Sequence, residues 1–150
     1  MQSKKSIDNL NIRSMVPGDI GHILDIDVKL TGLQRTAHQA EIVTSLIGSA
    51  DDLSLVAELD GMVIGFLVAR MIYVGEAVIE TASIRIIGVD PDYERHGIAA
   101  KMMDSLINNS RSRGINSVRV MLSEHDSNLE AFFKHIGFKP VVIKVYGKEI

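Results

Sequence analysis

Residues 89–103 read VDPDYERHGIAAKMM. The stretch runs from the end of an apolar strand, through a polar turn, into a segment whose Ile98, Met102, Leu106 and Met103, Ile107 form one apolar stripe of a helix that stops near Gly114. Gly97 and Ala99, with Arg95 and His96 beside them, sit at the junction. Small residues there let the backbone approach a ligand closely. The first amides of a helix lack intrahelical acceptors, so a strand-turn-helix over 85–107 aims free N–H groups at an anion.

Outward from this stretch, helical and strand periodicities alternate. NIRSM (11–15) is an edge strand, and after Pro17 the spacing of Ile20, Ile23, Leu24 and Asp27 predicts a helix. KLTGLQR reads as a loop, and Ala40, Val43, Leu46 and Ile47 predict a second helix over 36–48. LSLVAEL (53–59), Asp60-Gly61 and MVIGFLVARMIYV (62–74) form a β-hairpin, because Asp-Gly suits a primed two-residue turn. Strands follow over 78–89 and 117–122 (SVRVML), with a short amphipathic helix on Leu129, Phe132, Phe133 and Ile136 closed by Gly137, and a final strand VVIKVY. The order is that of a mixed α/β (α+β) sheet rather than a strict βαβ repeat.

Composition bounds the function. A chain of 150 residues with 46% apolar and 23% charged residues fits one soluble domain, expected over 10–150 after a flexible tail at 1–9. A net charge of −3, with scattered Lys and Arg and no aromatic platform, gives nucleic acid no footprint. There is no cysteine, hence no disulfide and no thiolate nucleophile or ligand. The longest wholly apolar run, MVIGFLVA at 62–69, is far below the roughly 20 residues a bilayer span needs, so a cytoplasmic protein without membrane contact is expected. His22, His38 and His135 have no second ligand at metal spacing, and no metal is expected. The P-loop, dinucleotide and Gly-x-Ser-x-Gly patterns are absent. The paired methionines 102 and 103 read as core rather than ligand surface.

IIGVDPDYERHGIAAKMM (86–103), followed about thirty residues later by FFKHIGFKP (132–140), resembles the GNAT superfamily of acetyl-coenzyme A dependent N-acetyltransferases. There a strand ending in Val-x-Pro feeds a loop of the form (Gln or Arg)-x-x-Gly-x-(Gly or Ala), and a later helix ends in Gly-Phe. The resemblance covers residues 10–150 in element order. It implies a mostly antiparallel central sheet splayed between two parallel strands, with about four helices on both faces. It also implies acetyl-CoA as cosubstrate, an amine acceptor, and acetyl transfer by direct attack.

By that resemblance the diphosphate falls to Arg95, His96, Gly97, Ile98, Ala99 and Ala100. The pantetheine arm falls to the backbone of Ile87, Gly88 and Val89, with an amide near Ile87 or Gly88 polarising the thioester carbonyl, and Asn128 lies close by. Two positions depart. Glu94 stands where Gln or Arg is usual, and its carboxylate is expected to point away from the anion. Phe133 stands where a Tyr often reprotonates the leaving thiolate, leaving Tyr146, Tyr93 or water. Asp126 replaces the usual helix-opening Asn and caps equally well. Base candidates are Glu80 and the pair Glu124 and His125 beyond strand 117–122; each also reads as a solvated charge at a strand end. The acceptor side falls to the loop around 29–37 and segment 73–80, where Asp25, Asp27 and Glu80 could draw a cationic amine. A second class of function, an acyl-CoA binding or sensing domain without turnover, follows from Phe133 and Glu94. A third is a small nucleotide-binding signalling domain. An apolar last strand makes a homodimer the expected assembly.

Overall fold

The computed structural model describes residues 6–32, 44–45, 47–74, 79–142 and 144–150. Most of the expected second helix, residues 1–5 of the expected tail, and residues 75–78 lie outside the described residues. Five strands, β1 (Leu10–Ser14), β2 (Leu55–Leu59), β3 (Met62–Val74), β4 (Ile79–Val89) and β5 (Ser117–Val120), form one sheet in chain order. The first three pairings are antiparallel, and β4 with β5 is parallel. Among the described residues there are three α-helices, α1 (Ile20–Thr31), α2 (Ile98–Ser112) and α3 (Ser127–His135). The mixed α/β architecture expected from the sequence is the one observed.

Asp60 and Gly61 turn β2 into β3 with φ of 50° and 82°, the left-handed pair that a primed turn needs. The two faces of the sheet bury separate cores. Ile98, Met102, Met103 and Leu106 of α2, with Phe133 of α3, pack on Leu55, Ala57, Leu67, Ala82 and Ile84. Ile23 and Ile26 of α1 pack on Val56, Phe66 and Val68 on the opposite face. The methionine pair is 0% and 1% exposed, as core should be.

Four expectations need correction. The loop KLTGLQR begins later than its polar character suggests, because Lys29, Leu30 and Thr31 complete α1 and the left-handed Gly32 (φ 69°) ends it, its N–H bonding the Val28 carbonyl at 2.8 Å. Strand 117–122 stops at Val120, since the Asp126 carboxylate takes the Ser123 N–H at 3.0 Å and turns the chain; this carboxylate therefore does not cap α3. VVIKVY is not a strand: within one chain its described residues pair with no neighbour, and Val142, Val145 and Tyr146 are 98%, 82% and 88% exposed.

The entry to α1 is held by charge. Arg13 of β1 reaches both Asp19 oxygens at 2.8 and 2.9 Å and Glu58 of β2 at 2.6 Å, while Asp19 also accepts the Val16 N–H at 2.8 Å. The guanidinium hydrogen bonds hold the buried Asp19 carboxyl below the usual carboxylate range, against the opposing cost of burial. A lowered folded-state value contributes stability above the unfolded value near ~4, and that contribution is lost as pH falls through the folded value. Asp19→Asn is expected to unfold about 1–3 kcal/mol more easily at neutral pH. It should also lose stability less steeply than the parent in acid. Parallel losses in denaturant titrations at pH 7 and below pH 4 would show that this pair carries no acid-labile stability.

Candidate active site

β5 accompanies β4 only from Thr81–Ser117 to Ile84–Val120, so residues 85–89 have β3 on one side and, among the described residues, no strand on the other. The opening coincides with a β-bulge. Val68 faces Ile86 and Ala69 faces Ile84, leaving Arg85 as an extra residue. The bulge flips the pleat, so Ala82 and Ile84 before it and Ile87 and Val89 after it all serve one core.

Beyond the bulge the register fixes where the backbone points. The Asp90 N–H bonds the Ile64 carbonyl at 2.8 Å, and an antiparallel ladder alternates bonded and non-bonded pairs. Gly88 and Ile86 therefore turn their N–H and C=O groups toward β3. Ile87 and Val89 turn theirs into the opening. Of the two amides that sequence suggested for the thioester carbonyl, only that of Ile87 faces the gap.

Gly88 serves packing instead. A Cβ there would lie 2.8 Å from Leu30 Cδ1 and from Phe66 Cε1 and Cζ, so only glycine lets the last turn of α1 lie on β4. Lys29 fastens the same contact, its Nζ 2.9 Å from Asp90 Oδ2, and this hydrogen bond raises the Lys29 ammonium above its ordinary value. Asp90 in turn accepts the Asp92 N–H at 3.0 Å and opens a 3-10 turn over Pro91–Tyr93. Sequence reading missed Lys29, Leu30 and Asp90. Asp-Pro is a turn signal that could have marked Asp90, but the two α1 residues carried none once that stretch read as loop.

The turn then delivers the helix. Arg95 is left-handed (φ 64°), and Gly97 is left-handed (φ 73°) with no atom within 4 Å of where a Cβ would stand. His96 Nδ1 lies 3.0 and 2.8 Å from the Tyr93 and Glu94 carbonyls, so it carries the proton and braces the loop from within. Glu94 and Arg95 are exposed. The first helical bond runs from Lys101 N–H to the Gly97 carbonyl at 3.0 Å, so the amides of Ile98, Ala99 and Ala100 have no intrahelical acceptor. With the dipole of a 15-residue helix behind them, these free donors have the chemistry to accept an anion just beyond the end of β4.

The remaining candidates are dispersed. Glu124 and His125 follow β5, on the same end of the sheet as the gap because β5 is parallel to β4, with 3.7 Å between His125 Nε2 and Glu124 Oε1. Both are almost fully exposed. Glu80 pairs with Tyr73 at the opposite end of β4, seven residues from Ile87 or about 23 Å of extended strand, so the fold does not bring it to the gap. Asn128 is exposed in the first turn of α3. Phe133 is core, 2% exposed, with ring centroids 5.2 Å from Phe132 and 5.0 Å from Phe138. Tyr93 is half-buried against the same core, and Tyr146 stands in solvent. Asp25 is exposed, whereas Asp27 is buried at 4% and is not a surface acid.

Together, two outward-facing strand residues and an uncapped helix N-terminus suit a long ligand with an amide-bearing arm and an anionic group. Known proteins share this fold. The aminoglycoside antibiotic 6'-N-acetyltransferase AAC(6')-Ih from Acinetobacter baumannii superposes with a TM-score of 0.80 at 21% identity, over 94% of this chain and 98% of that one. AAC(6')-Iy, solved with the bisubstrate analog CoA-S-monomethyl-acetylneamine, gives 0.77 at 19% identity, over 94% and 98%. Among curated proteins, the mycothiol acetyltransferase of Beutenbergia cavernae is 29% identical over 68 residues, which span 45% of this chain and 23% of that longer protein. A family model described as "Acetyltransferase (GNAT) family" matches residues 23–138, a span that takes in most of α1, the bulged β4, the Gly97 loop and α3. By that match, and by the splayed strands and uncapped helix on which it falls, the chain belongs to the acetyltransferase (GNAT) family.

Proposed function

We propose that residues 10–150 act as an N-acetyltransferase that transfers the acetyl group of acetyl-CoA to a primary amine by direct attack within a ternary complex. The observation that carries this reading is the alignment of the outward-facing Ile87 and Val89 backbones with the free amides of Ile98, Ala99 and Ala100. The diphosphate is held by those amides and by Arg95, and the open space at Gly97 admits it. The pantetheine arm pairs with Ile87 and Val89 as an added strand would. The Ile87 N–H polarises the thioester carbonyl, a contribution of ~3–4 kcal/mol for one such donor.

The amine must first lose a proton. Glu124 and His125 lie at the correct end of the sheet for that task, directly or through water, and Glu80 does not. The amine nitrogen then bonds to the acetyl carbon and releases its surplus proton to solvent water, the carbon–sulfur bond breaks, and the thiolate takes a proton back from water, since Phe133 has none to give. Aminoglycosides, acted on by the structural relatives, are the first amines to try; a protein N-terminus, a lysine, a polyamine and an amino acid complete the panel.

The buried Phe133 favours one alternative, an acyl-CoA binding or sensing domain without turnover. Thiol release from acetyl-CoA across that amine panel separates the two. Release with one amine class, and none without amine, is the expected result. Saturable binding of acetyl-CoA with no release from any amine would overturn the transferase reading and leave the sensing domain.

A further inference from the structure

The α1 face of the sheet changes character beside the gap. On β3, Val68 faces the α1 core and Ala69 the α2 core, so strand alternation returns Arg70 to the α1 face. On β4, Ala82 and Ile84 face the α2 core, which turns Thr81 and Ser83 to the α1 face. On β5, Val118 and Val120 pack on the α2 core, which turns Arg119 the same way. The register then sets Arg70, Ser83 and Arg119 side by side in one row across three strands. Alternation from Ile84 puts the bulged residue, Arg85, on this face as well, where it is exposed.

Their charge is unanswered. Among the described residues the ion pairs engage Arg13, Lys29, His125 and Lys134, while Arg70, Arg85 and Arg119 have no carboxylate partner. Arg119 Nε is buried without a hydrogen-bond acceptor, and so is the Thr81 hydroxyl on the neighbouring row. A buried donor without an acceptor is uncommon in a folded protein. Three guanidiniums gathered around Ser83, in a chain of net charge −3, have the chemistry to hold an anion.

The position of the patch relates that anion to the gap. Ile87, whose N–H faces the opening, lies two residues beyond Arg85, about 7 Å of strand, and the Ser83 row lies about 13 Å from Ile87. Arg85 and Arg119 sit diagonally on adjacent strands, with Cα atoms roughly 8 Å apart, so their side chains can converge on one group. We infer that the acceptor carries a carboxylate several bonds from its amine, held by Arg85 and Arg119 while the amine stands at the thioester carbonyl near the Ile87 N–H. Guanidinium forks match a carboxylate bidentately, and the same charges repel a polycation such as an aminoglycoside. The inference rests on the transferase reading for the place of the thioester, not for the anion site itself.

Matched pairs of equal shape test it: glutamate against glutamine, 4-aminobutyrate against 4-aminobutanamide, and 6-aminohexanoate against 6-aminohexanamide, with kanamycin as the polycation. Each is assayed for thiol release and titrated calorimetrically onto the chain saturated with coenzyme A. The expected result is a preference of at least about tenfold for the carboxylate member of a pair, in kcat/KM through KM and in affinity. Arg85→Gln and Arg119→Gln should each cut that preference by at least about fivefold, with circular dichroism and acetyl-CoA affinity as controls, and Arg85→Lys should retain more of it than Arg85→Gln. Turnover without preference in any pair, turnover favouring kanamycin, or a preference untouched by both glutamine variants overturns the inference and leaves the transferase reading standing. Arginine-dependent binding of a carboxylate member with no thiol release supports the anion site and overturns the transferase reading. Neither binding nor release from any of these amines overturns both.

Discussion

Gly97→Glu is expected to weaken acetyl-CoA binding by at least about a hundredfold, roughly 3 kcal/mol, in a protein that still folds. The fold tolerates the change because no atom lies within 4 Å of a Cβ at this position. Its structural cost is the left-handed backbone at φ 73°, about 1–2 kcal/mol for a residue with a Cβ. The functional cost is larger, because the new carboxylate enters the space in front of the Ile98, Ala99 and Ala100 amides, where it competes for the same donors and repels a diphosphate. Gly97→Ala carries the backbone cost without the charge and should stay within about tenfold of the parent affinity. Titration calorimetry of both variants, with circular dichroism as the fold control, separates the terms. A folded Gly97→Glu that binds as the parent does would remove the anion site from the account.

Gly88→Ala should damage both stability and turnover. Its Cβ would stand 2.8 Å from three carbon atoms, two of them on Phe66, which is fully buried and has nowhere to move. Overpacking of this kind costs about 1–3 kcal/mol, which for a domain of this size lowers Tm by roughly 2–12 °C. Relief by displacing β4 or the last turn of α1 moves the Ile87 amide, the donor assigned to the thioester carbonyl. Turnover in the thiol-release assay should therefore fall further than the loss of folded protein explains. An alanine variant with parent Tm and parent rate would mean that β4 and α1 are looser than their contacts imply.

Much of this was legible in the sequence, for local reasons. Asp60-Gly61, the helical stripe through Met102 and Leu106, and Gly97 each answer to short-range rules of turn, period and φ, and each stands where those rules place it. What escaped was set by contacts distant in sequence. The bulge at Arg85 exists because Ala82, Ile84, Ile87 and Val89 must all reach one core, and no local signal announces a skipped residue. Gly88 read as a strand residue with a candidate donor amide, whereas its value lies in what Leu30, 58 positions away, needs to touch. Glu80 looked comparable to Glu124 as a base until the parallel pairing of β4 with β5 put the two at opposite ends of the sheet. VVIKVY has a strand's pattern, but its described residues have no strand neighbour among the described residues, a fact about pairing that pattern cannot supply.

The most direct test of the central claim is a calorimetric titration of the unaltered chain with acetyl-CoA, repeated in the presence of excess adenosine diphosphate. The account predicts one saturable site per chain, with adenosine diphosphate competing only weakly because it lacks the arm that pairs with Ile87 and Val89. Absence of binding, or equal affinity for adenosine diphosphate, would contradict the assignment of the β4 gap and the Gly97 loop to coenzyme A.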